Sequence, residues 1–104
     1  MLADEISAEI ESWNTVRYED RCFMFRSPLQ VYSERQEDIW AVASPTLGIL
    51  GYGPTRDEAV HAFEMDFAAC WDLVAMENDN NLTADAIVLK TAMLDLIVNV
   101  VHRQ

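Results

Sequence analysis

Between Arg21 and Ser33 the apolar side chains fall on alternate positions. Phe23, Phe25, Leu29 and Val31 are odd, while Arg26 and Gln30 sit at even positions. Period two marks a strand with one buried face. Pro28 cannot donate to a ladder, which predicts an edge strand or two short strands in place of one continuous strand. Arg35-Gln36-Glu37-Asp38 is a polar break, and Ile39 to Ala43 reads as a second strand with Trp40 and Val42 on one face. Together these predict a hairpin. A third, glycine-rich strand covers Gly48 to Tyr52.

Elsewhere the spacing is helical. Leu2, Ile6, Ile10 and Trp13 predict a short amphipathic helix over 2–13, with a strand as the alternative because Ile6, Ala8 and Ile10 also alternate. Thr55-Arg56-Asp57-Glu58 is a capping box, in which the Thr55 hydroxyl accepts from the third helical amide and Glu58 reaches back to the Thr55 amide. It predicts a helix from Arg56 to about Glu77. One face of that helix is apolar (Ala59, Val60, Phe63, Phe67, Cys70, Trp71, Val74) and should cover the sheet. Asp57, His61, Glu64 and Asp72 form a polar face, and Ala62, Ala69, Leu73 and Met76 a second apolar stripe.

After the turn Asn78-Asp79-Asn80-Asn81, Thr83 caps a final helix predicted from about Ala84 to Val101. Apolar residues cover more than half its wheel. The β-branched run Val98 to Val101 leaves a terminal strand as the weaker alternative. So much apolar surface predicts a homo-oligomer, a dimer or tetramer, whose self-interface uses Leu73, Met76, Leu89, Met93, Leu96, Ile97 and Val100, with 83–102 as the oligomerisation helix. The expected fold class is α+β: a three-stranded antiparallel sheet packed on one long helix, plus a C-terminal helix, in a single domain over 1–104.

Charge adds direction. Lys and Arg total 7 against 18 Asp and Glu, a net charge of −11. Phosphate binding runs on cationic side chains, so nucleic acid and anionic membranes are disfavoured as direct partners, while a basic protein is admitted. The acids concentrate in 1–20 and 53–79; residues 21–52 and 80–104 are balanced. No basic leader with an apolar core opens the chain, and Lys90, Asp95 and Asn99 interrupt its most apolar stretch. Both observations predict a cytoplasmic location. Cys22 and Cys70 are then two reduced, part-buried thiols.

Residues 29–77 run hairpin, glycine-rich strand, capped helix. They contain Trp40-Ala41-Val42-Ala43-Ser44-Pro45-Thr46-Leu47-Gly48 and Gly51-Tyr52-Gly53-Pro54-Thr55-Arg56-Asp57-Glu58-Ala59. This β-β-β-α unit resembles the HicB-like antitoxin family, with Pro45, Gly48, Gly51, Gly53, Thr55 and Glu58 carrying the likeness. The resemblance implies a degenerate RNase H-like fold, oligomers, and neutralisation of a small basic RNA-acting toxin by protein–protein contact. The acidic balance agrees, because charge complementarity steers association. The family's C-terminal DNA-binding module has no counterpart here: residues 80–104 form one apolar helix with Lys90 and Arg103 as its only bases.

No catalytic, metal or cofactor site is expected. His61 and Glu64 with Asp57 could form an acid–base or metal cluster, and Asp57, Glu64, Asp66 and Asp72 could suggest a two-metal nuclease. Such nucleases also draw carboxylates from strands, and the predicted strands offer only Glu34 and Asp38 at a turn. The leading expectation is a non-enzymatic, antitoxin-like interaction module whose partner-binding face is Asp57, His61, Glu64 and Asp72. The alternative is an orphan homo-oligomeric scaffold or regulatory protein without a toxin partner.

Overall fold

The computed structural model describes residues 7–103. Leu2 and Ile6, half of the predicted N-terminal helix pattern, lie outside them. The rest of that segment is a strand, β1 (Ser7–Tyr18). It is followed by β2 (Arg21–Gln36), β3 (Ile39–Ser44), β4 (Ile49–Gly53), α1 (Arg56–Cys70), α2 (Ala84–Leu96) and β5 (Ile97–His102). The fold is α+β, with five antiparallel strands in one sheet in place of the three expected.

Strand β2 organises the sheet. Along one edge it pairs with β1 for nearly its whole length. Along the other edge its partners change: Arg21–Phe25 pair with β5, and Tyr32–Gln36 pair with β3. Pro28 lies between these two stretches, where no amide has to be donated. Opposite it the β1 register breaks, so that Trp13 pairs with Leu29 while Thr15 already pairs with Met24. The proline therefore sits in a central strand at an irregularity, one of the places a sheet tolerates it.

The β1–β2 and β2–β3 hairpins close with the same dipeptide, Glu19-Asp20 and Glu37-Asp38. Each glutamate adopts a φ of 55°, in the left-handed region. From β3 to β4 the chain turns through Ser44–Gly48. The Gly48 amide donates to the Ser44 carbonyl at 2.8 Å, the Leu47 amide donates to Ser44 Oγ at 3.3 Å, and Gly48 takes a φ of 69°. Leu47 is buried and pins this turn to the core.

The Thr55 hydroxyl accepts from the Glu58 amide at 3.1 Å, as the capping box requires. The reciprocal half differs: the Glu58 carboxylate accepts from the Thr55 hydroxyl at 3.0 Å, not from its amide. Beyond Cys70 the helix widens into a π turn over Trp71–Ala75. Thr83 caps α2 by accepting from the Ala86 amide at 3.2 Å. Helix α2 ends at Leu96, not near Val101, and passes directly into β5. Four β-branched residues among Ile97–Val101 disfavour helix, and the free β2 edge at 21–25 offers them hydrogen bonds.

Both helices cover one face of the sheet. Phe23, Phe63, Phe67 and Met93 are fully buried there, joined by Val16, Val31, Val42 and Ile97. Phe67 is central, with ring centroids 5.2 Å from Phe23 and 5.7 Å from Phe25. Helix α1 lies directly on β4 because Gly51 and Gly53 present no side chain to it. A Cβ on Gly51 would stand 2.6 Å from the Ala59 carbonyl oxygen, and one on Gly53 2.6 Å from the Ala59 nitrogen.

Candidate functional site: an acidic helix face and an uncovered sheet face

Two surfaces stand out on this plate. The first is the outward side of α1. Arg56 ties the start of the helix to β1 through Glu11, at 2.7 Å. Asp57, Glu58, His61 and Asp66 are then exposed. The expected partner-binding face holds the first and third of these; Glu58 and Asp66 extend it. Glu64 is only half exposed. It lies against a hollow of about 330 Å³ between α1 and β1, lined also by Trp13, Thr15, Arg17 and Val60. Burial raises its carboxyl above the usual range, and the nearby His61 works against that shift.

Asp72 belongs to a different environment. Its two carboxylate oxygens accept from Arg21 at 2.8 and 3.1 Å, and Arg21 also stands over the Phe23 ring at 5.3 Å. Asp72 is therefore committed to joining the π turn to β2. Among the described residues, three of the seven bases are in ion pairs: Arg21, Arg56 and Lys90, the last with Asp79 at 2.9 Å. Most of the described acids make no ion pair among the described residues. No group of three or more His, Cys, Asp or Glu among the described residues is placed to hold a metal ion.

The expected self-interface divides. Met93 and Ile97 are inside the chain's own core, and Leu89, Leu96 and Val100 are half-buried against it. Helix α2 turns this side to the π turn at Trp71–Ala75 and to β2 and β5, while its Val88 and Leu94 stay exposed. Leu73 and Met76 are exposed, at 71% and 64%.

The second surface escapes the sequence reading. Among the described residues, nothing covers the face of the sheet opposite the helices. Its rows follow from the register: Ile10, Tyr32, Ala43 and Leu50 line up across four strands, and Ala8, Glu34, Ala41 and Tyr52 form the next row. Gln36 and Ile39 complete the patch. The groove over this patch holds about 230 Å³. A sheet packed on one side ordinarily alternates apolar inward with polar outward. Here the outward positions are aromatic and aliphatic as well.

Cys22 and Cys70 are free. They lie on opposite faces of the sheet, Cys22 in the outward row with Val101 and Cys70 against the core. Burial, with Asp66 nearby, pushes the Cys70 thiol up. No helix among the described residues is long and apolar enough to cross a membrane.

Compared with known protein families, curated proteins and solved structures, the chain matches none.

Proposed function

We propose that the protein is a non-enzymatic interaction module, an antitoxin-like cytoplasmic protein of the HicB type that neutralises a small basic RNA-acting protein by covering its RNA-binding surface. The observation that carries this reading is the run of exposed acids along α1 that make no ion pair among the described residues: Asp57, Glu58 and Asp66. Acids fixed on a rigid helix raise the encounter rate with a cationic partner and orient it. The turn at Pro45–Gly48 and the segment Gly53–Ala59, which carry the family likeness, support it by shaping the seat of that helix.

The test uses a small basic protein encoded beside this one. Its RNA cleavage should be suppressed by the full chain at low ionic strength. Suppression should weaken as salt rises, because surface charges are screened beyond about 10 Å at 0.1 M. The double variant Asp57→Lys, Asp66→Lys should restore cleavage while keeping the native circular dichroism. Magnesium-dependent RNA hydrolysis by this protein alone would refute the reading. The exposed Leu73 and Met76 favour a second reading, a homo-oligomeric scaffold without a toxin partner. Suppression that persists in the double variant and at high salt would also count against the acidic face.

A further inference from the structure

We infer that the uncovered sheet face is where a second copy of this chain docks, making a two-fold dimer with the two sheets packed face to face. The inference stands apart from the basic-partner reading, which concerns the opposite side of the molecule.

Three observations carry it. The first is composition. Ile10, Tyr32, Ile39, Leu50 and Tyr52 are 62, 37, 47, 42 and 60% exposed. Such an aromatic and aliphatic cluster with few charges is the composition of an interface centre.

The second is area. Side chains of this size at these exposures leave on the order of 500 Å² uncovered, near the upper end of what a lone soluble domain shows. With the intervening alanines and the polar rim, the face approaches the roughly 800 Å² that each partner contributes to an interface of standard size.

The third is charge, and it selects the occupant. Among the described strand residues, Glu34 is the only acid that the register places on this face; the acids of β1, Glu9 and Glu11, pair opposite Ser33 and Val31 and point to the other side. A basic partner finds almost no acid here to recognise. Two copies that each carry −11 repel wherever their acidic surfaces meet. The sheet face is where contact costs least in repulsion, and a two-fold axis lets the same apolar patch meet itself. Stacked sheets lie about 10 Å apart, close enough for Tyr32, Leu50 and Tyr52 of the two copies to interdigitate.

Sedimentation equilibrium of the full chain at micromolar concentration tests this. The wild type should sediment as a dimer, and raising salt should hold or tighten it, the reverse of the effect on a basic partner. Leu50→Lys and, separately, Tyr52→Lys should weaken dimerisation about a hundredfold, tenfold for each symmetry-related copy, with unchanged circular dichroism. Leu73→Lys, on the helix side, should leave the dimer intact. A monomeric wild type would overturn the inference. So would a dimer that Leu73→Lys dissolves and both sheet-face variants leave unchanged.

Discussion

Gly51→Ala isolates the contact that sets the distance between α1 and the sheet. The added methyl would stand 2.6 Å from the Ala59 carbonyl oxygen and 2.8 Å from the Phe63 Cα, with the Phe63 nitrogen closer still. Carbon contacts settle at about 3.5–4.0 Å, so helix and strand must separate by on the order of 1 Å. All three obstacles are backbone atoms, and no rotamer change relieves them. Overpacking of this kind costs about 1–3 kcal/mol, and the rigid neighbours place this case at about 3 kcal/mol. Removing a glycine from the unfolded chain returns about 0.5–1 kcal/mol. The net loss is about 2 kcal/mol, which lowers the melting temperature of a domain this size by about 8–16 °C. Thermal unfolding followed by circular dichroism measures it. Gly48→Ala is the control: no atom lies within 4 Å of its added Cβ, and only its φ of 69° opposes the change. That strain costs about 1 kcal/mol, and Gly48→Asn should recover most of it. A Gly51→Ala protein melting within about 2 °C of wild type would refute the steric reasoning.

Phe67→Ala removes the ring at the centre of the aromatic core and should destabilise by about 3–5 kcal/mol in urea unfolding, whereas Met65→Ala, on the exposed side of the same helix, should cost under about 0.5 kcal/mol. Glu64 has its folded carboxyl raised by burial, so the folded state holds its proton more tightly than the unfolded one. Its ionisation therefore costs stability as pH rises from the unfolded value through the raised one. Glu64→Gln should melt higher than wild type at neutral pH, and the difference should vanish as pH falls below the normal carboxylate range. Glu37 takes a left-handed φ that asparagine tolerates better, so Glu37→Asn should raise stability by about 0.5–1 kcal/mol, read from the urea midpoint at unchanged slope.

The parts of the fold that local chemistry dictates are legible in the sequence alone. Thr55 and Glu58 announce the start of α1, Glu37-Asp38 separates β2 from β3, and the i, i+4 series Ala59, Phe63, Phe67 marks the buried side of the helix. Strand β1 misreads as a helix for a physical reason. It places the acid Glu11 on the core side, where Arg56 meets it, and the apolar Ile10 on the outward side. The irregularity near Asn14 then shifts the alternation by one, so no period of two survives across the segment. Strand β5 hides because Leu89, Met93 and Leu96 continue a helical pattern up to the switch, which depends on a vacant edge of β2 far away in sequence. The sheet face was illegible for a related cause: alternation tells which residues share a face, not whether a second layer covers it. Asp72 looked like part of a free acidic surface because its partner Arg21 lies 51 positions away.

The change of partners along β2 has a consequence for how the molecule comes apart. Strand β5 pairs with the first half of β2, while β3 and β4 are built on the second half. Detaching α2 and β5 uncovers Phe23 but takes no ladder hydrogen bond from β3 or β4. The β5 ladder can therefore open locally without breaking the β3–β4 ladder. Amide protons of β5 can exchange with solvent through an opening that leaves the β3–β4 ladder protected, and the seat of the acidic helix survives an excursion that the C-terminal strand does not.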